Sequence, residues 1–268
     1  MRKSILLIAA AILTSTIALD AAKPKVIAHR GYWKTPGIET KGKSIAEQSL
    51  RTSAQNSLRS LIKADSIGCY ASEFDVWMTP DSVIIVNHDP TINGIEIQRT
   101  PSSVVLKEKL CNGENVPTLD QYYKTAQSLK TRLVCELKSH DSRSQEKAAA
   151  KRVVALAKKY GLEDRVDYIA FSKEAYKDLI KYAPKGAKVY FLNGDYVPCQ
   201  IKFTKGAGID YSMKVMKKHP EWIKECHDKG LEVNVWTVNS PEDIQWCIDN
   251  GVDYITTNEP ERVQKMIK

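Results

Sequence analysis

The 268-residue sequence holds six cysteines but no CxxC pair and no Cys/His spacing that would build a zinc site. No glycine-rich phosphate loop follows its first apolar run, which counts against a doubly wound dinucleotide fold. Long blocks of lysine or arginine are missing as well. The formal net charge is +8, yet the densest spots, such as Lys217-Lys218, are short and carry no interleaved aromatics. That pattern describes a solvated basic surface, not a nucleic-acid-binding one. There are no internal repeats and no low-complexity segment. Past the N-terminus no apolar run is long enough to span a membrane.

What is present is ordinary globular material, 43% hydrophobic and 27% charged. Residues 1–22 have the form of a secretory signal: Arg2 and Lys3, the apolar stretch "ILLIAAAIL", then the small residues of "TIA". An uncleaved anchor is the other reading of that run. The expectation is an exported protein, periplasmic or extracellular, without stable membrane insertion once the signal is cleaved. An oxidising compartment permits disulfides. Cys135, however, lies in an apolar strand pattern where a small buried hydrophobe explains it, and no pairing is expected.

From residue 23 onward, short apolar runs alternate with amphipathic stretches. "VIAHRG" (26–31), "SEFDVWM" (72–78) with its hairpin partner "SVIIVNHD" (82–89), "RLVCELK", "DYIAFS", "KVYFLN", "GIDYS", "EVNVWTV" and "DYITTNE" read as strands. Helical patterns separate most of them, the first over 49–68 and the strongest over 144–161. Eight strand units with helical crossovers predict a single α/β domain over 23–268, a (β/α)8 TIM barrel; an open doubly wound sheet is the alternative. Residues 90–118 break the alternation and are expected to form a small insertion at one barrel mouth.

Barrel enzymes place their chemistry at the C-terminal ends of the strands. Charged residues gather there: His29 and Arg30, Glu73 and Asp75, His88, Glu136 and Lys138. Glu73 and Asp75 are two apart on a strand, so both point to one face, about 7 Å apart along the backbone. Unpaired carboxylates inside a barrel are costly, and a divalent cation removes that cost. Glu136 would be a third oxygen ligand. An all-carboxylate set suits Ca²⁺ or Mg²⁺ and not zinc. Lys138 lies on the face of Glu136, as a carboxylate partner or as a phosphate contact. Charge counting favours phosphate. Three carboxylates, a divalent cation, Arg30, Lys138 and one phosphodiester sum to zero, with Arg30 able to fork onto phosphate oxygens. His29 and His88 end strands at the same mouth, where two imidazoles suit proton transfer to and from oxygen. His140, His219 and His227 fall in loop or helix contexts and read as surface residues.

"HRG" (29–31), "EFD" (73–75), "NHD" (87–89), "ELK" (136–138), "VWTVN" (235–239) and "YITTNEP" (254–260), in that order, resemble the glycerophosphodiester phosphodiesterases. The resemblance implies a (β/α)8 barrel with a small insertion after the hairpin. It also implies metal-dependent hydrolysis of a glycerophosphodiester to an alcohol and sn-glycerol 3-phosphate. By motif, Glu73, Asp75 and Glu136 would bind the metal, His29 and His88 would form the acid/base pair, and Arg30 and Lys138 would hold phosphate. Trp236 and Asn56 would belong to the substrate pocket, although from spacing a core tryptophan explains Trp236 equally well. One departure stands out: Gln55 occupies the place where the family carries an acid before the asparagine, so altered substrate preference or metal affinity is expected. The rival readings are a phospholipase D- or C-like enzyme on lysophospholipids, and a non-catalytic barrel binding a phosphorylated ligand.

Overall fold

A computed structural model describes residues 23–34 and 53–268; the expected signal over 1–22 and the first residues of the helix expected over 49–68 lie outside these. Eight parallel strands close on themselves: β1 (Lys25–Ala28), β2 (Ala71–Met78), β6 (Arg132–Leu137), β7 (Val166–Ala170), β8 (Val189–Phe191), β9 (Gly208–Ser212), β10 (Glu232–Trp236) and β11 (Tyr254–Thr257). The ring closes through β1, which pairs with β11 on one side and β2 on the other. This is the (β/α)8 barrel expected from the alternation. β3 (Ile84–Val86) turns back antiparallel on β2, as the hairpin pattern requires. β4 (Thr91–Ile92) and β5 (Ile95–Glu96) form a two-stranded ribbon within 90–118. That segment has its own small core, in which Ile92, Ile97, Val105 and Val116 pack on Trp77 and Ile85.

The helices form the outer layer. α1 (Leu58–Ser66) follows β1, α2 (Ser102–Val105) lies in the 90–118 segment, and α3 (Leu119–Ala126) leads into β6. α4 (Arg143–Lys159), α5 (Lys173–Tyr182), α6 (Pro198–Thr204), α7 (Met213–Lys218), α8 (Glu221–Asp228), α9 (Pro241–Asp249) and α10 (Pro260–Met266) complete the ring. The main core lies between strands and helices, with Phe74, Leu133, Tyr168, Phe191, Ile209 and Val233 from the sheet against Leu61, Tyr122, Val153, Leu179 and Ile244 from the helices. Inside the barrel a second, smaller apolar set (Ile27, Val134, Ile169, Tyr190, Tyr254) closes the N-terminal end. All six cysteines are unpaired, with Cys69, Cys135, Cys226 and Cys247 buried and Cys111 and Cys199 exposed. Among the described residues, no helix is long and apolar enough to cross a membrane.

The first helix starts later than its amphipathic pattern predicts. Asn56 sits at φ 59°, which no helix accommodates. Ser57 then caps the helix, its hydroxyl accepting from the Ser60 N–H while the Ser60 hydroxyl accepts from the Ser57 N–H. Gln55 and Asn56 therefore occupy a turn ahead of α1, where side chains can face the barrel mouth.

This turn locks onto the loop after β1. The Asn56 N–H donates to Arg30 O at 3.0 Å, and Tyr32 N–H to Ser60 O at 2.9 Å. Gly31 makes the approach possible: its φ is +75°, and a Cβ there would sit 2.7 Å from the Ser60 backbone carbon. Gly31→Ala should destabilise the fold by about 2 kcal/mol or more, because strain and clash act together on a backbone contact. Denaturant unfolding of the two proteins measures it.

Candidate active site

The C-terminal mouth of the barrel opens into a cavity of about 120 Å³, four waters' share of liquid volume, lined by residues from most of the strands. His29, Arg30, Glu73, His88, Glu136, Lys138 and Trp236 all border it, so seven of the nine sequence-selected residues meet there. The β2–β6 register sets the carboxylates side by side, with Asp75 opposite Glu136 and Glu73 opposite Val134. Inward-facing positions recur every second residue along a strand, so Glu73, Asp75, Glu136 and Lys138 converge.

The three carboxylates are 3%, 1% and 7% exposed. Each offers an oxygen within 4.8 Å of the others. Glu73 Oε2 accepts from the Arg30 backbone N–H at 2.8 Å, while its buried Oε1 has no partner among the described residues. Asp75 Oδ2 accepts from Asn56 Nδ2 at 2.8 Å, and Asp75 Oδ1 lies 2.8 Å from Lys138 Nζ. Glu136 Oε1 faces the same ammonium at 2.7 Å but has no aligned hydrogen bond.

The electrostatics divide the three. Burial, with repulsion from Asp75 and Glu136, raises the Glu73 carboxyl well above the carboxylate range. Burial and Asp75 push Glu136 up to about 8. Burial also works against ionised Asp75, but Lys138, His88 and the Asn56 bond outweigh it and hold its pKa below the usual value. Three acids thus sit side by side and repel one another, with two buried oxygens, Glu73 Oε1 and Glu136 Oε1, lacking a hydrogen bond among the described residues. An oxygen-only donor set of this kind fits a hard divalent cation. Glu73, Asp75 and Glu136 would hold it.

Asn56, expected in the substrate pocket, does not border the cavity. It is 1% exposed, and its amide grips Asp75 from both sides: Nδ2 donates to the carboxylate and Oδ1 accepts from the Asp75 N–H at 3.1 Å. The left-handed turn at Asn56 aims its amide inward, which makes it a positioning residue for Asp75. Gln55 still reaches its neighbour, accepting from Arg30 Nη1 at 2.7 Å. An acid there would add a charge to a contact that the amide makes with a dipole. Arg30 Nε lies 3.7 Å from Asp75 and has no hydrogen-bond partner among the described residues.

Both histidines have one ring nitrogen engaged. His29 Nδ1 donates to Asn258 Oδ1 at 2.7 Å, and His88 Nδ1 to Asp89 Oδ1 at 2.7 Å. Among the described residues Nε2 of each has no hydrogen-bond partner. Burial, and then Arg30, lower the His29 pKa to about 4. Trp236 donates from Nε1 to the Asp210 carbonyl at 2.8 Å and meets Phe171 edge-on, forming one wall. Sequence reasoning passed over Asn258 and Asp89, though both lie inside the quoted motifs, and over Phe171, Leu192, Asp210 and Thr256 along the cavity. His140 is not a surface residue: it accepts from the Met78 N–H at 3.0 Å and donates to Lys138 O at 2.7 Å, tying β2 to the end of β6.

Two measurements follow from these geometries. Without metal, NMR titration of His29 should show a neutral imidazole down to about pH 4. Between the unfolded histidine value and that pH, only the unfolded chain binds the proton, so this group's contribution to stability falls as pH is lowered through the window. Asn56→Ala should reduce metal affinity by 10- to 100-fold, as loss of a ligand's hydrogen-bonding partner typically does, measured by calorimetric titration with the ion.

Comparison with known proteins places this arrangement. The glycerophosphoryl diester phosphodiesterase family model matches residues 29–262. A curated glycerophosphodiester phosphodiesterase from Caldanaerobacter subterraneus is 26% identical over 263 residues, covering 92% of this chain and 98% of that one. A crystal structure of a glycerophosphodiester phosphodiesterase from Parabacteroides distasonis superposes with a TM-score of 0.84 at 45% identity, covering 91% of this chain and 97% of that one. An Oleispira antarctica phosphodiesterase in complex with the product sn-glycerol-3-phosphate shares the fold at a TM-score of 0.75 and 19% identity, over 91% of this chain and 96% of that one. With the matched segment running from His29 at the mouth of β1 into α10, the chain belongs to the glycerophosphoryl diester phosphodiesterase family and is an enzyme that hydrolyses glycerophosphodiesters.

Proposed function

We propose that this enzyme hydrolyses small glycerophosphodiesters to an alcohol and sn-glycerol 3-phosphate, using a Ca²⁺ or Mg²⁺ ion held by Glu73, Asp75 and Glu136. The observation that carries this reading is the meeting of Glu73, Glu136 and two histidines, each with a committed Nδ1, on one cavity, with Asp75 buried beside the two acids. When bound, the ion supplies Lewis-acid stabilisation of phosphate charge and a template for the substrate.

The chain's own groups do the rest. Arg30 and Lys138 take the phosphate oxygens. Lys138 is 11% exposed, and Asp75 and Glu136 keep its ammonium at the cavity edge. His29 is neutral at working pH and takes the proton of the attacking oxygen at Nε2; the phosphate anion beside it draws its pKa back up toward a useful value. His88 then delivers a proton to the leaving oxygen as its bond to phosphorus breaks. Asn258 and Asp89 hold the two rings in the orientation that leaves each Nε2 free. The cavity of about 120 Å³ favours a headgroup over an acyl chain, and so favours glycerophosphodiesters over lysophospholipids. With both histidines and all three acids in place, a purely binding role lacks a rationale. The basic, apolar and small-residue order of 1–22 supports export to the periplasm or the exterior.

The direct test is release of glycerol 3-phosphate from glycerophosphocholine and glycerophosphoethanolamine. EDTA should abolish it, and Ca²⁺ or Mg²⁺ should restore it. Release from lysophospholipids alone would select the rival reading. His29→Ala and His88→Ala should each lower kcat by about 10²–10⁴ with thermal unfolding unchanged; full activity in both variants would refute the pair. Gln55→Glu should shift metal affinity or the glycerophosphocholine-to-glycerophosphoethanolamine preference while chemistry persists; identical values for both quantities would remove Gln55 from the site.

A further inference from the structure

One buried acid facing the cavity has no part in the reaction described above. Asp210, on β9, is 2% exposed, and it borders the cavity along with Thr256, Leu192 and Trp236. Its Oδ1 has no hydrogen-bond partner among the described residues. Its other tie is to Asn234, whose amide is in turn bonded to the Thr256 hydroxyl at 2.9 Å. Next to it, the barrel wall is apolar: Ile169, Leu192 and the Trp236 ring. A lone buried acceptor among apolar neighbours costs stability, and natural structures retain such groups where something else pairs with them.

Its position says what that partner is. Around the barrel the strands run β1, β2, β6, β7, β8, β9, β10, β11, so β9 lies four strands from β2 in either direction. Asp210 is therefore across the cavity from Glu73 and Asp75. It also borders a smaller void below, lined by Tyr190 and Tyr254, which places it at the cavity floor. Phosphate is drawn to the β2–β6 side by the cationic groups there. Of the two arms of the diester, the glycerol arm is the one shared by every substrate of the class, and its end farthest from phosphorus is a primary hydroxyl, a donor suited to an acceptor on the opposite floor.

We propose that Asp210 accepts a hydrogen bond from the terminal sn-1 hydroxyl of the glycerol group and thereby selects diesters that carry it. The inference rests on the glycerophosphodiesterase reading above and names a specificity residue for it. Asn234 and Thr256 orient the carboxylate and are positioning residues. Burial holds the Asp210 pKa up to about 7, and a hydroxyl can bond to the carboxyl in either protonation state, since it both donates and accepts. A site built to bond a hydroxyl discriminates strongly against an analogue lacking it, because the protein group is then left buried and unpaired.

The experiment is a cycle of enzyme and substrate changes, read as choline release under the best divalent cation. The substrates are glycerophosphocholine, its 1-deoxy analogue (2-hydroxypropyl phosphocholine) and its 2-deoxy analogue (3-hydroxypropyl phosphocholine). The wild type should prefer the parent to the 1-deoxy compound by on the order of 10² in kcat/KM. In Asp210→Ala that ratio should fall to within a few-fold of one, while the 2-deoxy compound, which keeps the terminal hydroxyl, should respond to the substitution as the parent does. If the alanine variant does not fold, Asp210→Leu, branched at the same carbon but without a polar atom, serves on the same pair, and the ratio should again fall to within a few-fold of one. An unchanged ratio, with rates on all substrates falling together, would overturn the inference and leave Asp210 a structural residue paired with buried water. A wild type indifferent to the 1-deoxy change would overturn it equally. Failure of the wild type on every glycerophosphodiester would sink the functional reading and this inference together.

Discussion

Three carboxylates point into the closed end of a barrel mouth, where water cannot separate their charges. Glu73, Asp75 and Glu136 are on paired strands, so their approach is imposed by the β2–β6 ladder and not by flexible side chains. Lys138, placed two residues along from Glu136, offsets part of the charge, and Asn56 with the Arg30 amide offsets more by hydrogen bonds. The compensation remains incomplete: Glu73 and Glu136 keep raised pKa values, chiefly through burial. A site like this binds a hard cation because the protein has already met the cost of bringing the anions together during folding. Removing one acid would lower both the repulsion and the affinity.

That arrangement depends on the loop after β1 and the turn before α1. Arg30, Gly31 and Asn56 all have positive φ, at 58°, 75° and 59°. Such backbone is uncommon for arginine and costs on the order of 1–3 kcal/mol there, while the short amide of asparagine tolerates it better. The expense is compensated by a set of bonds: Gly31 N–H to Glu73 O at 3.1 Å, Asn56 N–H to Arg30 O, and the Ser60 hydroxyl to Arg30 O at 3.2 Å. Together they aim the Arg30 amide at Glu73 and its guanidinium toward Gln55 and the cavity. On the far side, His140 performs a comparable service for the β6 end by bonding Met78 and the Lys138 carbonyl. Much of the rigidity of the site thus comes from Gly31, Asn56, Ser60 and His140, none of which borders the cavity.

Several of these features are legible in the chain alone. Spacing two apart on a strand put Glu73 and Asp75 on one face, and the same rule put Glu136 with Lys138. The histidines stood at strand ends because the apolar runs stop there. Other features escaped that reasoning for physical reasons. A helical pattern before Ser57 ignored the left-handed turn at Asn56, which local amphipathicity does not report. His140 sits in a loop by sequence, yet loop residues at strand ends can fold back over the sheet, and its two bonds are to backbone groups that carry no sequence signal. Asp210 lies in the short strand "GIDYS", whose pattern does not report what it faces across the barrel.

The sequence by itself determined the period of the elements, hence the eight strand units and their crossovers, and the identity of the acids and imidazoles at the strand ends. These follow from local rules: alternation along strands, turn residues, caps and the cost of burying charge. Closure of the barrel decided the rest. Only when β1 pairs with both β11 and β2 do β2 and β9 come to face each other across one cavity. Which histidine nitrogen is engaged, that Asn56 bonds Asp75 and does not border the cavity, and that Asp210 stands opposite the buried carboxylates with its Oδ1 unpaired among the described residues are all consequences of long-range contacts. Local sequence cannot encode them, because each depends on groups brought together from strands far apart in the chain.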